Sequence, residues 1–334
     1  MATQHSPKRS YSPCSRDEHP PERYHAGPTT VSPSNNNLAP IIPVRFLVMS
    51  DTHDKVPSST PQCDVLLHCG DLTEDGSPQS ISTALSALSK IDAEIKLIIA
   101  GNHEISLDKT YYLAEGGSEA AYLESRSLLL NPDIRYLEEG THDFMLKSGA
   151  HFKIYVSSWT PIYGSSAFQY PSNEDRFNGA DITPSWAKNV GKETSIIPEG
   201  VDIVMTHGPP QYVLDKTADG RSAGCEHLRR AIARVRPRLH CFGHVHAGYG
   251  AQRVWYNNTM KTSGEGEDCM VALPKEWVGK NQAKRKGYAS LPPGSVEAFK
   301  KDERQTLIIN AATMDGNNEP TNAPWMVELD LPNA

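Results

Sequence analysis

The chain has 334 residues, 38% of them apolar, and a formal net charge of -7. It can therefore bury a substantial core, and an acidic balance without a long basic stripe argues against nucleic acid as the main partner, while leaving room for a local basic patch beside a site. The six cysteines, Cys14, Cys63, Cys69, Cys225, Cys241 and Cys269, form no CxxC pair, which excludes a zinc ribbon or a thioredoxin-like motif.

Residues 1 to about 40 are dominated by Ser, Pro, Asn and charged side chains and read as a disordered tail, with His5, His19 and His25 as solvated tail histidines. They contain no apolar stretch of signal-peptide length, and nothing further on reaches the roughly 20 apolar residues of a membrane span. Cytoplasmic or nuclear residence with reduced thiols is expected, without a membrane partner.

From residue 41 to 334 a single domain of strands alternating with helices is expected. Arg45 to Ser50 reads as a buried strand that delivers Asp51 and His53 at its carboxyl end. Cys63 to Leu72 contains a second strand, ending in Gly70-Asp71. Ser77-Pro78 then looks like an N-cap with proline at the first helical position, and Ile81, Leu85 and Leu88 fall on one helical face. Ile95 to Ala100 is a third strand, followed by Gly101-Asn102-His103-Glu104, and a helix is expected over Glu119 to Leu130. Phe152 to Ser158 is a strand that leads into a loop bearing Trp159, Tyr163, Phe168, Tyr170, Phe177 and Trp186, a set that either packs or walls a pocket.

Val201 to Thr206 leads to His207-Gly-Pro-Pro210. Leu228, Ile232 and Val235 mark an amphipathic helix, and Leu239 to Phe242 leads to Gly243-His244-Val-His246. Cys69 and Cys241 lie in strand-like runs and read as buried thiols. About 257 to 303 is rich in Gly, Lys and Glu and reads as a surface insertion, after which Gln305 to Ala312 and Met326 to Leu331 supply two short strands that close the sheet.

Ligands collect at the carboxyl ends of strands in α/β sheets, so these ends can converge. Together they deliver Asp51, His53, Asp71, Asn102, His207, His244 and His246. Carboxylate, amide and imidazole donors in that number suit two divalent ions of the borderline kind, Mn, Fe or Zn, rather than Ca or Mg. Two such ions polarise a phosphoryl oxygen and generate a nucleophile from water near neutral pH.

The blocks Asp51-Thr-His53, Gly70-Asp71, Gly101-Asn-His-Glu104, His207-Gly and Gly243-His-Val-His246 resemble the signature blocks of the calcineurin-like metallophosphoesterase superfamily. Within it, they resemble the metallophosphoesterase-domain-containing branch, close to the class III cyclic-nucleotide phosphodiesterases. The resemblance implies a four-layer α/β/β/α sandwich. It also implies Asp51, His53 and His246 on one metal, Asn102, His207 and His244 on the other, and Asp71 between them. His103 would assist the leaving group, oriented by an acidic residue at the position of Glu74.

The implied activity is hydrolysis of a small phosphoester by a metal-bridging hydroxide, with a phosphodiester favoured and a cyclic nucleotide among the candidates. The alternatives are phosphomonoesterase or protein phosphatase activity, and a non-catalytic interaction scaffold like the retromer subunit that shares this fold. Against the protein phosphatases stands the second block, Gly-Asp71-Leu-Thr-Glu74, which lacks their arginine. Arg221, before Gly224, is a candidate to replace it from another loop, the alternative being a solvated loop arginine.

Overall fold

The computed structural model describes residues 40–257 and 269–333. The expected tail up to residue 39, with its three histidines, and the beginning of the expected insertion lie outside the described residues.

The chain opens with β1 (Ile41–Met49) and β2 (Cys63–His68), then α1 (Pro78–Ser89), β3 (Ala93–Ile98), α2 (Glu119–Leu128) and β4 (Arg135–Tyr136). α1 starts where the sequence places it, with the Ser77 hydroxyl accepting from the Ser80 N–H and Pro78 in the first turn. Next come β5 (Gly140–Met145), β6 (His151–Ser157), β7 (Ile203–Thr206), α3 (Glu226–Val235), β8 (Leu239–Phe242), β9 (Gly250–Tyr256) and β10 (Met270–Ala272). The described chain ends with α4 (Lys280–Lys286), α5 (Pro293–Lys301), β11 (Thr306–Asn310) and β12 (Trp325–Pro332).

Two sheets form. One has five strands in the order β12-β1-β2-β3-β4 and the other seven in the order β10-β9-β11-β8-β7-β6-β5. Alternation along each strand assigns its two faces. Phe46, Val48, Val65 and Leu67 of the first sheet meet Phe152, Ile154, Ile203 and Leu239 of the second in the core between the sheets. The other face of the first sheet, Leu47, Met49 and Leu66, packs on Ile81, Leu85 and Leu88 of α1. That of the second, Tyr155, Val204 and Phe242, packs on Leu228, Ala231 and Ile232 of α3. The result is the expected α/β/β/α sandwich.

Two expectations change. The last two strands do not jointly close one sheet: β12 is an edge of the first, whereas β11 lies inside the second between β9 and β8. The segment expected as a surface insertion contributes β10, α4 and α5, and its Ala283, Ala289, Leu291 and Phe299 are buried in the core between the sheets. These apolar residues are too sparse to give a periodic pattern, yet each fills a place in a core built by other elements. Cys69 and Cys241 are buried free thiols, as expected.

Candidate metal centre

β1, β2 and β3 run parallel, and so do β7 and β8, so each set delivers its following residues at one end of its sheet. Those residues meet. Ligand atoms of Asp51, His53 and His246 lie within 4.8 Å of one another, as do those of Asp71, His207 and His244, and those of His53, Asp71 and His103. Asp71 Oδ2 stands 3.3 Å from His207 Nε2 and 3.8 Å from His53 Nε2, while Asp51 Oδ1 is 3.3 Å from His246 Nε2. Asn102 Oδ1 is 2.9 Å from His207 Nε2.

The backbone is bent hard to achieve this. Asp51, His53, Asp71 and His244 all take left-handed φ values, 52°, 42°, 53° and 65°. Such conformations cost non-glycine residues roughly 1–3 kcal/mol each and cluster where function demands them. Glycines precede three ligands for a related reason. A Cβ at Gly243 would strike Asp51 Oδ2, one at Gly101 would come within 2.6 Å of His207 Cε1, and one at Gly70 within 2.7 Å of His207 Nδ1.

The imidazoles are oriented from behind. His207 Nδ1 donates to the Cys69 carbonyl at 2.9 Å, His103 Nδ1 to the Glu74 carbonyl at 2.7 Å, and His246 Nδ1 to Asn318 Oδ1 at 2.9 Å. In each case Nε2 is left for the site, the arrangement by which an outer partner fixes the tautomer of a metal-ligating histidine. The Asn102 amide N–H donates to Ser166 Oγ at 3.1 Å, which turns its oxygen inward.

Charge is concentrated here. Burial opposes the Asp71 carboxylate, yet His207, then His103 and His53, hold it well below the usual carboxylate range. Burial likewise opposes a charged His207, but Asp71 and Asp51 carry it up to about 9. His103 is raised against its own burial, chiefly by Asp71 and the Glu74 carbonyl. His244, buried and beside His207, is pushed down to about 4.

The donors fit a pair of divalent ions. Both ring nitrogens of buried His53 lack a hydrogen-bond partner, since Glu74 Oε2, 3.0 Å from Nδ1, is out of line with the ring N–H. Here the sequence expectation needs correction. The Glu74 carboxylate is mostly exposed and lies beside His53; the group that orients His103 is the Glu74 backbone carbonyl, because the turn after Asp71 presents its main chain to that ring. Arg221 is also exposed and pairs with Asp219 at 2.6 Å.

Three supporting residues escaped the sequence reading. Glu104 is 1% exposed and accepts from the N–H groups of Gly101, Asp71 and Thr73 and from the Thr73 hydroxyl, at 2.7 to 2.9 Å. It thereby clamps the loop after β2 to the loop after β3, and burial with the nearby Asp71 charge pushes its carboxyl up to about 7. Asn318 and Ser166 complete the set; Glu104 alone had a sequence cue, its place inside the Gly-Asn-His-Glu block.

A cleft of about 480 Å³ opens over the centre, lined among others by His103, Lys55, Tyr163, Thr217 and Met314. Of the expected aromatic loop, Tyr163 reaches this cleft, whereas Phe168, Tyr170 and Phe177 are core.

The comparisons with known proteins cover the same region. The chain is 35% identical over 216 residues to a probable rhamnogalacturonate lyase C of Emericella nidulans, 64% of this chain but 18% of that one. It is 34% identical over 214 residues to human metallophosphoesterase domain-containing protein 1, 62% of this chain and 61% of the relative. A UPF0046 protein of Caenorhabditis elegans is 31% identical over 227 residues, 64% and 54% of the two chains. The chain thus spans less than two thirds of each of these relatives. The calcineurin-like phosphoesterase family model matches residues 44–248, from β1 through the Gly-His-Val-His block. With more than half of its length matched, and the two sheets and their converging strand ends in place, the chain belongs to the calcineurin-like phosphoesterase family.

Proposed function

We propose that the protein is a hydrolase of small phosphodiesters that works with two divalent metal ions. The observation that carries this reading is the position of Asp71: its Oδ2 lies between His53 on one side and His207 on the other, at 3.8 and 3.3 Å, so one carboxylate joins two ligand groups. Asp51, His53 and His246 would hold one ion, and Asn102, His207 and His244 the other. When bound, two such ions neutralise charge on the phosphoryl oxygens and lower the pKa of water.

The chain's own residues supply the rest. His103 lines the cleft with its Nδ1 committed to the Glu74 carbonyl, so Nε2 is the atom that would hand a proton to the departing oxygen. The Glu104 clamp holds the Asp71 and His103 backbones in register, and the His103 N–H in turn donates to Asp71 Oδ1 at 2.9 Å. Among the described residues, Lys55 is the one lysine or arginine that lines the cleft. A monoester dianion calls for more fixed cations than that, which favours the diester over a protein phosphatase activity.

The test compares bis-p-nitrophenyl phosphate with p-nitrophenyl phosphate under added Mn, Fe or Zn, for wild type and Asp71→Ala. Metal-dependent diester preference that vanishes in the variant is expected. Monoester preference would transfer the reading to a phosphatase, and a metal-loaded protein inert on both would favour a scaffold.

A further inference from the structure

We propose that the segment from Lys275 to Lys286 is a cationic platform for single-stranded polynucleotide flanking the scissile phosphodiester, an inference that rests on the phosphodiester reading above and extends its substrate from small diesters to diesters within a strand. The segment holds five cations, Lys275, Lys280, Lys284, Arg285 and Lys286, and one carboxylate, Glu276. That carboxylate is already committed, accepting from Arg253 Nε and Ser295 Oγ at 2.7 Å each. Among the described residues none of the five cations forms a close ion pair with a carboxylate, although Lys280 faces Asp315 at longer range and Lys286 lies over the Tyr288 ring. The net charge of -7 for the whole chain conceals this concentration.

Its place in the fold is beside the cleft. The Glu276 N–H donates to the Ala251 carbonyl at 2.8 Å, and a Cβ on Gly250 would run into the Lys275 side chain. Gly250 begins β9, immediately after the turn that carries His246. Further along, the Lys280 charge reaches Asp315, adjacent to cleft-lining Gly316; the Asp315 carboxyl is held low first by the Asn317 and Glu319 N–H groups, then by the Thr321 hydroxyl and last by Lys280. At its other end the segment passes Gly287, whose Cβ would sit 3.4 Å from the Ser59 carbonyl, in the connection that bears Lys55.

Cations beside a phosphodiester-sized cleft, with Trp277 76% exposed among them and Tyr163 62% exposed at the cleft, provide backbone tracking and stacking faces for bases. A lipid surface fits less well. The one apolar side chain of α4, Ala283, is buried, so the helix has no apolar face to insert.

The experiment measures binding of a fluorescein-labelled oligothymidylate of about 12 nucleotides, within known site sizes, to the full chain by anisotropy across a salt series. The wild type is expected to bind with affinity that falls steeply with salt. The Lys280→Glu/Lys284→Glu/Arg285→Glu variant should bind at least about ten-fold more weakly, its salt slope reduced by roughly 2, the value for three lost phosphate contacts on a single strand. Trp277→Ala should lose about 5- to 100-fold through stacking. Melting temperature and metal content, recorded for each variant, separate lost contacts from lost fold.

Salt-insensitive or absent binding by the wild type, or equal binding by the charge variant, overturns the proposal. So does sedimentation with phosphatidylserine vesicles in the absence of oligonucleotide binding. Hydrolysis of bis-p-nitrophenyl phosphate by the same wild-type preparation keeps the two readings apart. Turnover without oligonucleotide binding sinks the platform alone, and binding without turnover sinks the phosphodiesterase alone.

Discussion

The two sheets bring different chemistry to the same place. The first contributes both carboxylates, Asp51 and Asp71, the Asn102 amide and His53, and its loops turn through left-handed backbone at Asp51, His53 and Asp71. The second contributes imidazoles, His207, His244 and His246; His207 directly follows β7, and His244 also takes left-handed backbone. One side is an anionic cradle that holds its shape by strain and the Glu104 clamp; the other is a wall of rings, two of which, His207 and His246, are oriented by outer hydrogen bonds, while His244 shares the left-handed backbone. Neither side alone carries the whole candidate ligand set, so these residues meet only where the inter-sheet packing sets the two at contact distance. Core stability and chemistry are therefore linked through sheet separation.

The comparison breaks most completely at Asp71, the cradle carboxylate whose Oδ2 is within reach of both His53 of its own side, at 3.8 Å, and His207 of the wall, at 3.3 Å. Asp71→Ala is expected to lose both ions and at least about 10^3-fold in turnover, the scale of several kcal/mol of charge stabilisation. Elemental analysis after gel filtration checks it, and unchanged metal content would refute the shared position. His103→Ala sharpens the picture, because it removes a group that faces the cleft without bridging the halves. It should retain both ions and slow turnover by roughly 10^2 to 10^4-fold, as for a general acid. If the metals left with it, His103 would have to be counted as a ligand.

Glu104→Gln acts on the cradle alone. An amide presents an N–H₂ where four donors converge, so a loss of about 1–3 kcal/mol in stability and roughly 10- to 100-fold in metal affinity is expected. Calorimetry and metal titration would register both.

The smallest effect concerns a pair of buried histidines that the two halves share. Thr52 Oγ1 meets His68 Nε2 at 3.0 Å behind the cradle, and Thr206 Oγ1 meets His240 Nε2 at 3.0 Å behind the wall. Burial pushes His68 down to about 4 and His240 down to about 3. Below about pH 6.5 the unfolded chain takes up protons that these folded imidazoles refuse, so stability is full above that pH and falls as the pH drops towards 4 and 3. His240→Gln should reduce the acid-limb slope of stability against pH by about one proton. An unchanged slope would mean that His240 takes up its proton in the folded state.

Most of this was legible in the sequence where an apolar run ended in a ligand. β1, β2, β3, β7 and β8 and the residues after them were placed from residue pattern alone, because a strand buried on both faces has to be apolar and its end is where polar groups can stand. Less was legible where a partner decides the role. Asn318 looks like any loop asparagine until His246 is beside it, and the Glu74 carbonyl could not be distinguished from the Glu74 carboxylate as the partner of His103. β5 was missed because Gly140–Met145 alternates polar and apolar residues only in part, and Phe299 because a lone aromatic in a charged stretch carries no period.

Gly70, Gly101 and Gly243 also bear on how the protein could change over time. They contribute no side chain, yet a single added carbon at any of them would wedge the strand ends apart, so their tolerance for replacement should be as low as that of the ligands themselves. A saturation scan scored by activity would rank these empty positions beside Asp71 and His207. Read without the fold, it would mistake spacers for reagents.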